Sequence, residues 1–267
     1  MAVAKKQERA WLAYDWANSA YITTVAVALL PVYFAEGVVG PDGYEFMGIV
    51  FPATSLWGYA TSLAALIVFL LGPVLGVVAD AKGYRKRFLG FACMAGAAAT
   101  VLFWFIGPGK VWTTLGLFLA AQIAFVAGNV FYDALLPVVA PPEERDRVSG
   151  KGFAVGYAGG GLQFALSLGL LLKHEALGLN MDQAARLAMV FAGVWWGGFS
   201  LITLFRLKEP KPQDVAERSG KQARSLLGAA KSVIGTMREI AGHKGVLLFL
   251  IAFFFYNDGV QTTIAMA

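Results

Sequence analysis

The feature that most constrains this chain is a series of seven apolar stretches, each about 20 residues long, enough for an α-helix to cross a bilayer core roughly 30 Å thick. They span positions 11–34, 56–79, 88–106, 112–139, 152–172, 187–205 and 246–267. In lipid, backbone amides can be satisfied only inside helices or closed barrels, and runs of this length select helices. The expected fold class is an all-α membrane protein: a six-helix bundle followed by a seventh transmembrane helix.

Composition points the same way. The chain is 58% hydrophobic and only 15% charged, against about 25% charged in a soluble domain. An ordinary soluble enzyme, a disordered tail and a fibrous protein are excluded. The 31 glycines lie largely within apolar runs, where small residues let membrane helices approach closely. The first run is too long for a cleaved signal peptide and carries Asp15, Asn18 and Ser19, so it is expected to stay as a helix.

Of the 22 lysines and arginines, all but Lys110, Lys173 and Arg186 fall in the N-terminus and the even-numbered loops. Positive loops stay on the cytoplasmic side. The N-terminus is therefore expected inside, in a cytoplasmic (inner) membrane, and the net charge of +5 reads as topology rather than nucleic-acid binding. The long sixth loop places Leu226, Ala230, Val233, Met237 and Ile240 on one helical face and Lys221, Arg224, Lys231 and Arg238 on the other. This is the pattern of a basic amphipathic helix on the inner membrane surface or a solvated linker helix. The expected domains are a six-helix bundle at 1–206, a cytoplasmic linker at 207–244 and, at 245–267, the first helix of a second bundle. A short internal repeat supports the division: Asn18, Thr23, Thr24, Ala26 and Ala28 recur at the same spacing as Asn257, Thr262, Thr263, Ala265 and Ala267, the pairing of first and seventh helices expected of two parallel repeats.

A charged or amide side chain at membrane depth normally faces a protein interior or a wet cavity. Asp15 and Asn18 share one side of the first helix. Gln122, Asn129 and Asp133, spaced by seven and four, share a face of the fourth. Asn257, Asp258 and Gln261 cluster in the seventh, and Gln163 follows the glycines of the fifth. These residues either line a solute path, with Asp258 as a candidate for coupling to protons, or join helices by hydrogen bonds; Asp15 and Asp133, towards the cytoplasmic end, read equally as inner-gate partners or helix-end caps. Gly152, Gly156, Gly159 and Gly160 form a groove for close helix packing, and Pro31, Pro73 and Pro137 can kink their helices.

Enzyme chemistry finds no footing. The chain has one cysteine, Cys93, and two scattered histidines, His174 and His243, so no disulfide, metal site or cofactor motif is expected. GPGK at 107–110 lacks the spacing of a phosphate-binding loop.

The segment at 72–87, GPVLGVVADAKGYRKR, resembles the signature of the major facilitator superfamily in the loop between its second and third helices, through Gly76, Asp80, Gly83, Arg85, Lys86 and Arg87. The segments YDWANSAYITTV at 14–25, YDALLPVVAPPEERDRVSGKGFAVGYAGG at 132–160 and FYNDGVQTTIAMA at 255–267 resemble the vacuole-effluxer branch of that superfamily. The resemblance implies a fold of about twelve helices, here truncated after the seventh. A missing C-terminal half or a partner chain would complete it. It further implies alternating access for a small polar solute, with an amino acid as the family's suggestion, protons as a coupling ion, and a conformational-switch role for the loop. Tyr157 stands where an exporter signature has proline, and the fourth helix lacks the arginine of many proton antiporters. A non-transporting scaffold or sensor, or an inactive fragment of a longer transporter, is the competing expectation.

Overall fold

The computed structural model describes residues 2–82, 85–209, 235, 238, 240 and 242–266, with side chains placed for 5–72, 75, 85–209, 235, 238, 240, 242–256, 259 and 260. Six helical segments among them are long and apolar enough to cross a membrane: Lys5–Val39, Ala53–Gly72, Arg85–Phe105, Val111–Val139, Pro142–Leu172 and Met181–Arg206. The protein is a multi-pass membrane protein built as a helical bundle. The amphipathic pattern of the sixth loop lies mostly outside the described residues.

The first span is one long rod with two wide turns in it. Helix α1 (Ala2–Ala20) continues through a π-helical stretch, Tyr21–Leu29, into α2 (Leu30–Tyr33) and a second π-helical stretch, Phe34–Val39. Pro31 lies in the first turn of α2 and has no N–H to give the preceding turn. The amide of Leu30 reaches back five residues to the Val25 carbonyl, the bond that defines a π-turn. The rod ends at Gly40, whose φ is 80°.

Between the first two spans lies a small hairpin that the hydropathy pattern did not foretell: β1 (Tyr44–Phe46) pairs antiparallel with β2 (Ile49–Phe51). Its two turn residues, Met47 and Gly48, have φ of 54° and 79°. Two successive positive φ values are the mark of a type I′ turn, where asparagine or glycine is usual at the first position.

Helices α3 (Ala53–Lys82) and α4 (Arg85–Val101) follow. Helix α5 (Val111–Asp133) is interrupted at 134–135 before the short α6 (Leu136–Val139), which has Pro137 in its first turn. Helix α7 (Arg145–Leu172) begins seven residues ahead of the apolar run at 152–172. Glu143, Glu144 and Asp146 gather at its start, where acidic groups meet the positive end of the helix dipole. Helix α8 (Met181–Arg206) also starts ahead of its apolar run, held by a capping box in which Asn180 Oδ1 accepts the Gln183 amide and Gln183 Oε1 accepts the Asn180 amide.

Helix α1 packs against α7 and α8, α4 lies between α5 and α8, and α3 packs on α5. Trp11, Tyr14, Tyr21 and Trp196 are fully buried in this core. The Trp196 ring fills the space that a side chain at Gly96 would need. Outward-facing Phe91 and Phe153 are 76% and 67% exposed, as suits side chains whose solvent is lipid. Helix α9 (Lys244–Met266) has every described side chain from 244 to 256 exposed.

Candidate functional site

Two polar constructions stand out in the bundle, and both are built from long-range contacts. The first is a ladder of side-chain hydrogen bonds along the first span, whose rungs leave it at intervals of three residues. Nearest the N-terminus, Tyr132 Oη donates to Asp15 Oδ2 at 2.6 Å. The Tyr132 ring is held by stacking on Trp11, with centroids 4.1 Å apart, and by the Trp11 indole donating to the Tyr132 carbonyl at 3.1 Å. Next, Asn18 Nδ2 donates to Asn129 Oδ1 at 2.7 Å. Tyr21 Oη then donates to Gln122 Oε1 at 3.1 Å. In the last rung Thr24 Oγ1 donates to Gln163 Oε1, and Gln163 Nε2 donates to Ser167 Oγ at 2.9 Å.

The rungs differ in access. Asp15, Gln122 and Asn129 are half-buried, so the α1–α5 side of the ladder is open in part. Gln163 and Ser167 are fully enclosed between the first span and α7. Asp133, grouped by spacing with Gln122 and Asn129, is exposed at the last residue of α5, off the ladder. Asn257, Asp258 and Gln261 fall on α9, and their side chains lie outside the described residues.

The glycines of α7 make the enclosed side possible. A Cβ on Gly156 would come 2.8 Å from Ser19 Oγ, one on Gly159 would come 2.6 Å from the Trp16 carbonyl oxygen, and one on Gly160 would come 2.8 Å from Thr23 Oγ1. Gly152 has no room beside Asp15 and Trp11 either. All four thus meet the first span, close enough for Gln163 to reach Thr24.

The second construction ties helix ends together on the side of the membrane that holds the N-terminus. Arg85 Nη1 donates to the Ala134 carbonyl at 3.0 Å, just past α5. Lys86 Nζ donates to the Leu207 carbonyl at 2.8 Å, just past α8. Each cation therefore sits at the negative end of a helix. Glu209 Oε1 accepts the backbone amide of Lys86 at 3.1 Å, satisfying one of the orphan donors at the start of α4. Burial raises the Glu209 carboxyl above its ordinary range, against amide hydrogen bonds from Lys86 and Arg85 that lower it. Gln7 extends the tie to the first span by donating to the Arg206 carbonyl at 3.2 Å and accepting the Lys208 amide at 2.7 Å. Nearby, Glu8 pairs with Lys151 at 2.8 Å. Gly76 and Asp80 fall on the backbone of α3, whereas Gly83 and the Asp80 side chain lie outside the described residues. Arg87 is exposed at the start of α4.

Sequence reasoning passed over Tyr21, Thr24, Tyr132, Ser167 and Glu209 as members of these groups. Tyr21 and Tyr132 each stand three residues from an asparagine of the ladder, a spacing that would have flagged them had their hydroxyls been weighed above their rings.

Six apolar spans, with a polar ladder joining the first of them to α5 and α7, define the class: a multi-pass membrane helix bundle. Within that class the chain belongs to the family described as vacuole effluxer Atg22 like, whose model matches residues 3–267. It is 34% identical to an uncharacterized MFS-type transporter, YxiO, of Bacillus subtilis (strain 168), over 98% of this chain and 59% of that protein. It is 26% identical to autophagy-related protein 22 of Yarrowia lipolytica, over 82% of this chain and 49% of that protein. With autophagy-related protein 22 of Saccharomyces cerevisiae (strain ATCC 204508 / S288c) the identity is 21%, over 97% and 60%. The chain thus spans about half to three fifths of the length of these relatives. No solved structure matches.

Proposed function

We propose that this chain supplies the N-terminal six-helix half, and the first helix of the next half, of a secondary active transporter that moves a small polar solute by alternating access. In this reading 1–206 is the bundle, 207–244 a cytoplasmic linker and 245–267 the start of the partner half. The N-terminus faces the cytoplasm, as the distribution of lysine and arginine supports.

The ladder between the first span and α5 carries the proposal. An interhelical hydrogen bond in a membrane protein contributes only about 0.6 kcal/mol on average, with a ceiling near 1.7. A solute that offers its own donors and acceptors can therefore replace the half-buried rungs at Asp15, Gln122 and Asn129 at small net cost. Gln163, enclosed and doubly bonded, acts in this reading as a fixed joint between helices. The tie through Arg85, Lys86 and Glu209 holds three helix ends as one body, so that the half-bundle can rock as a unit. An amino acid, which carries donors and acceptors on one small frame, is the substrate class the family suggests.

Solute flux tests the proposal. Proteoliposomes carrying the chain with its second half should take up labelled small polar solutes, and Asn129→Ala should reduce the rate. If no solute moved under any imposed gradient, the reading would give way to a non-transporting scaffold or sensor.

A further inference from the structure

The tip of the β1–β2 hairpin combines features that a water-facing loop avoids. Met47, 86% exposed, occupies a left-handed turn position that a side chain without a local polar bond gains nothing by adopting. Phe46, Ile49 and Val50 beside it are all exposed. No charged residue occurs between Glu45 and Asp80, a stretch far longer than the ~20 residues one crossing needs. The uncharged stretch therefore runs past the second span and through β2 and the turn, and ends at Glu45, exposed in β1 across from Val50.

The hairpin is also braced against a residue of interfacial type. The Trp112 indole, at the start of α5, donates to Tyr44 Oη at 3.1 Å, and the Phe46 ring meets Trp112 edge-on with centroids 5.3 Å apart. Tryptophan and tyrosine favour the headgroup level, where one end of the ring system is apolar and the other wet. From Trp112 an exposed apolar stripe continues along α5 through Gly116 and Ala120. The hairpin is thus continuous with the lipid-facing surface of the bundle.

We propose that Phe46, Met47 and Ile49 dip into the bilayer interface on the side opposite the N-terminus, so that the hairpin acts as a lipid anchor fixing the outer ends of α3 and α5. The partner is the lipid surface. The inference stands on the multi-pass fold and does not require the transport reading.

Site-directed fluorescence decides it. A polarity-sensitive thiol dye would be attached to Met47→Cys, and separately to Ile49→Cys in case the first variant folds poorly, in the full chain reconstituted in phosphatidylcholine vesicles. Cys93 is buried, and Asp42→Cys serves as the water-exposed reference. The expected result at 47 or 49 is a blue-shifted emission relative to 42, quenched more strongly by a nitroxide placed near the lipid headgroup than by aqueous iodide. Emission matching that at 42, with iodide the stronger quencher, would overturn the proposal. A blue shift that no nitroxide lipid quenches would also overturn it, by showing that the tip is covered by protein.

Discussion

At the residue scale the most informative side chain is Glu209, because one carboxylate caps α4 while the cations beside it hold the ends of α5 and α8. Glu209→Ala should lower stability by about 1 kcal/mol, the usual cost of a lost N-terminal acceptor, measured by thermal unfolding in detergent. Glu209→Gln keeps an acceptor and should lie close to the parent. Because burial raises this carboxyl, the folded chain binds its proton more tightly than the unfolded chain does. Its titration therefore favours the fold below the raised value, and that contribution is lost as pH rises from the ordinary carboxylate range through it. Glu209→Gln should flatten that part of the stability profile; an unchanged slope would remove Glu209 from the tie. The rung between Asn18 and Asn129 calls for a double-mutant cycle. The expected coupling is about 0.6 kcal/mol and no more than ~1.7, and zero coupling would mean the two amides do not meet.

At the scale of elements, the α7 face against the first span rests on the absence of side chains. A Cβ at Gly159 would come 2.9 Å from the Trp16 Cα and closer still to its carbonyl oxygen, whereas at Gly161 nothing lies within 4 Å. Gly159→Ala should therefore cost about 1 to 3 kcal/mol through overpacking. Gly161→Ala should be neutral or stabilising by up to ~1 kcal/mol, because alanine is the better helix former. Equal effects in thermal unfolding would contradict the packing. Much of this was legible in the sequence: hydropathy located all six described spans, and the spacing of Gly152, Gly156 and Gly159 gave the face. Helix starts were not, because polar caps such as Asn180 and acidic turns such as that at 143–146 extend a helix beyond its apolar run. The π-helical stretches around Pro31 and the hairpin at Met47 escaped as well, since neither changes the hydropathy pattern that reveals a span.

For the whole molecule, the charge pattern, the six spans and the joined helix ends place Lys86 on the same side as the N-terminus and Lys110 on the other. An impermeant amine reagent applied to one face of sealed vesicles should label one of the two and spare the other, and equal labelling from one face would refute the topology. The site was only half legible at this scale. The sequence named Asp15, Asn18, Gln122 and Asn129, but which rungs stay half-open depends on contacts between residues about a hundred positions apart, and no local pattern records that. The most direct test of the account is thiol accessibility in the native membrane, against the low background of buried Cys93. Asn129→Cys should react with an impermeant thiol reagent in open membranes. Gln163→Cys, enclosed between helices, and Phe153→Cys, facing lipid, should stay unreactive. If position 129 proved as inert as 153, or 163 reacted as readily as 129, the half-open polar ladder would not exist as described.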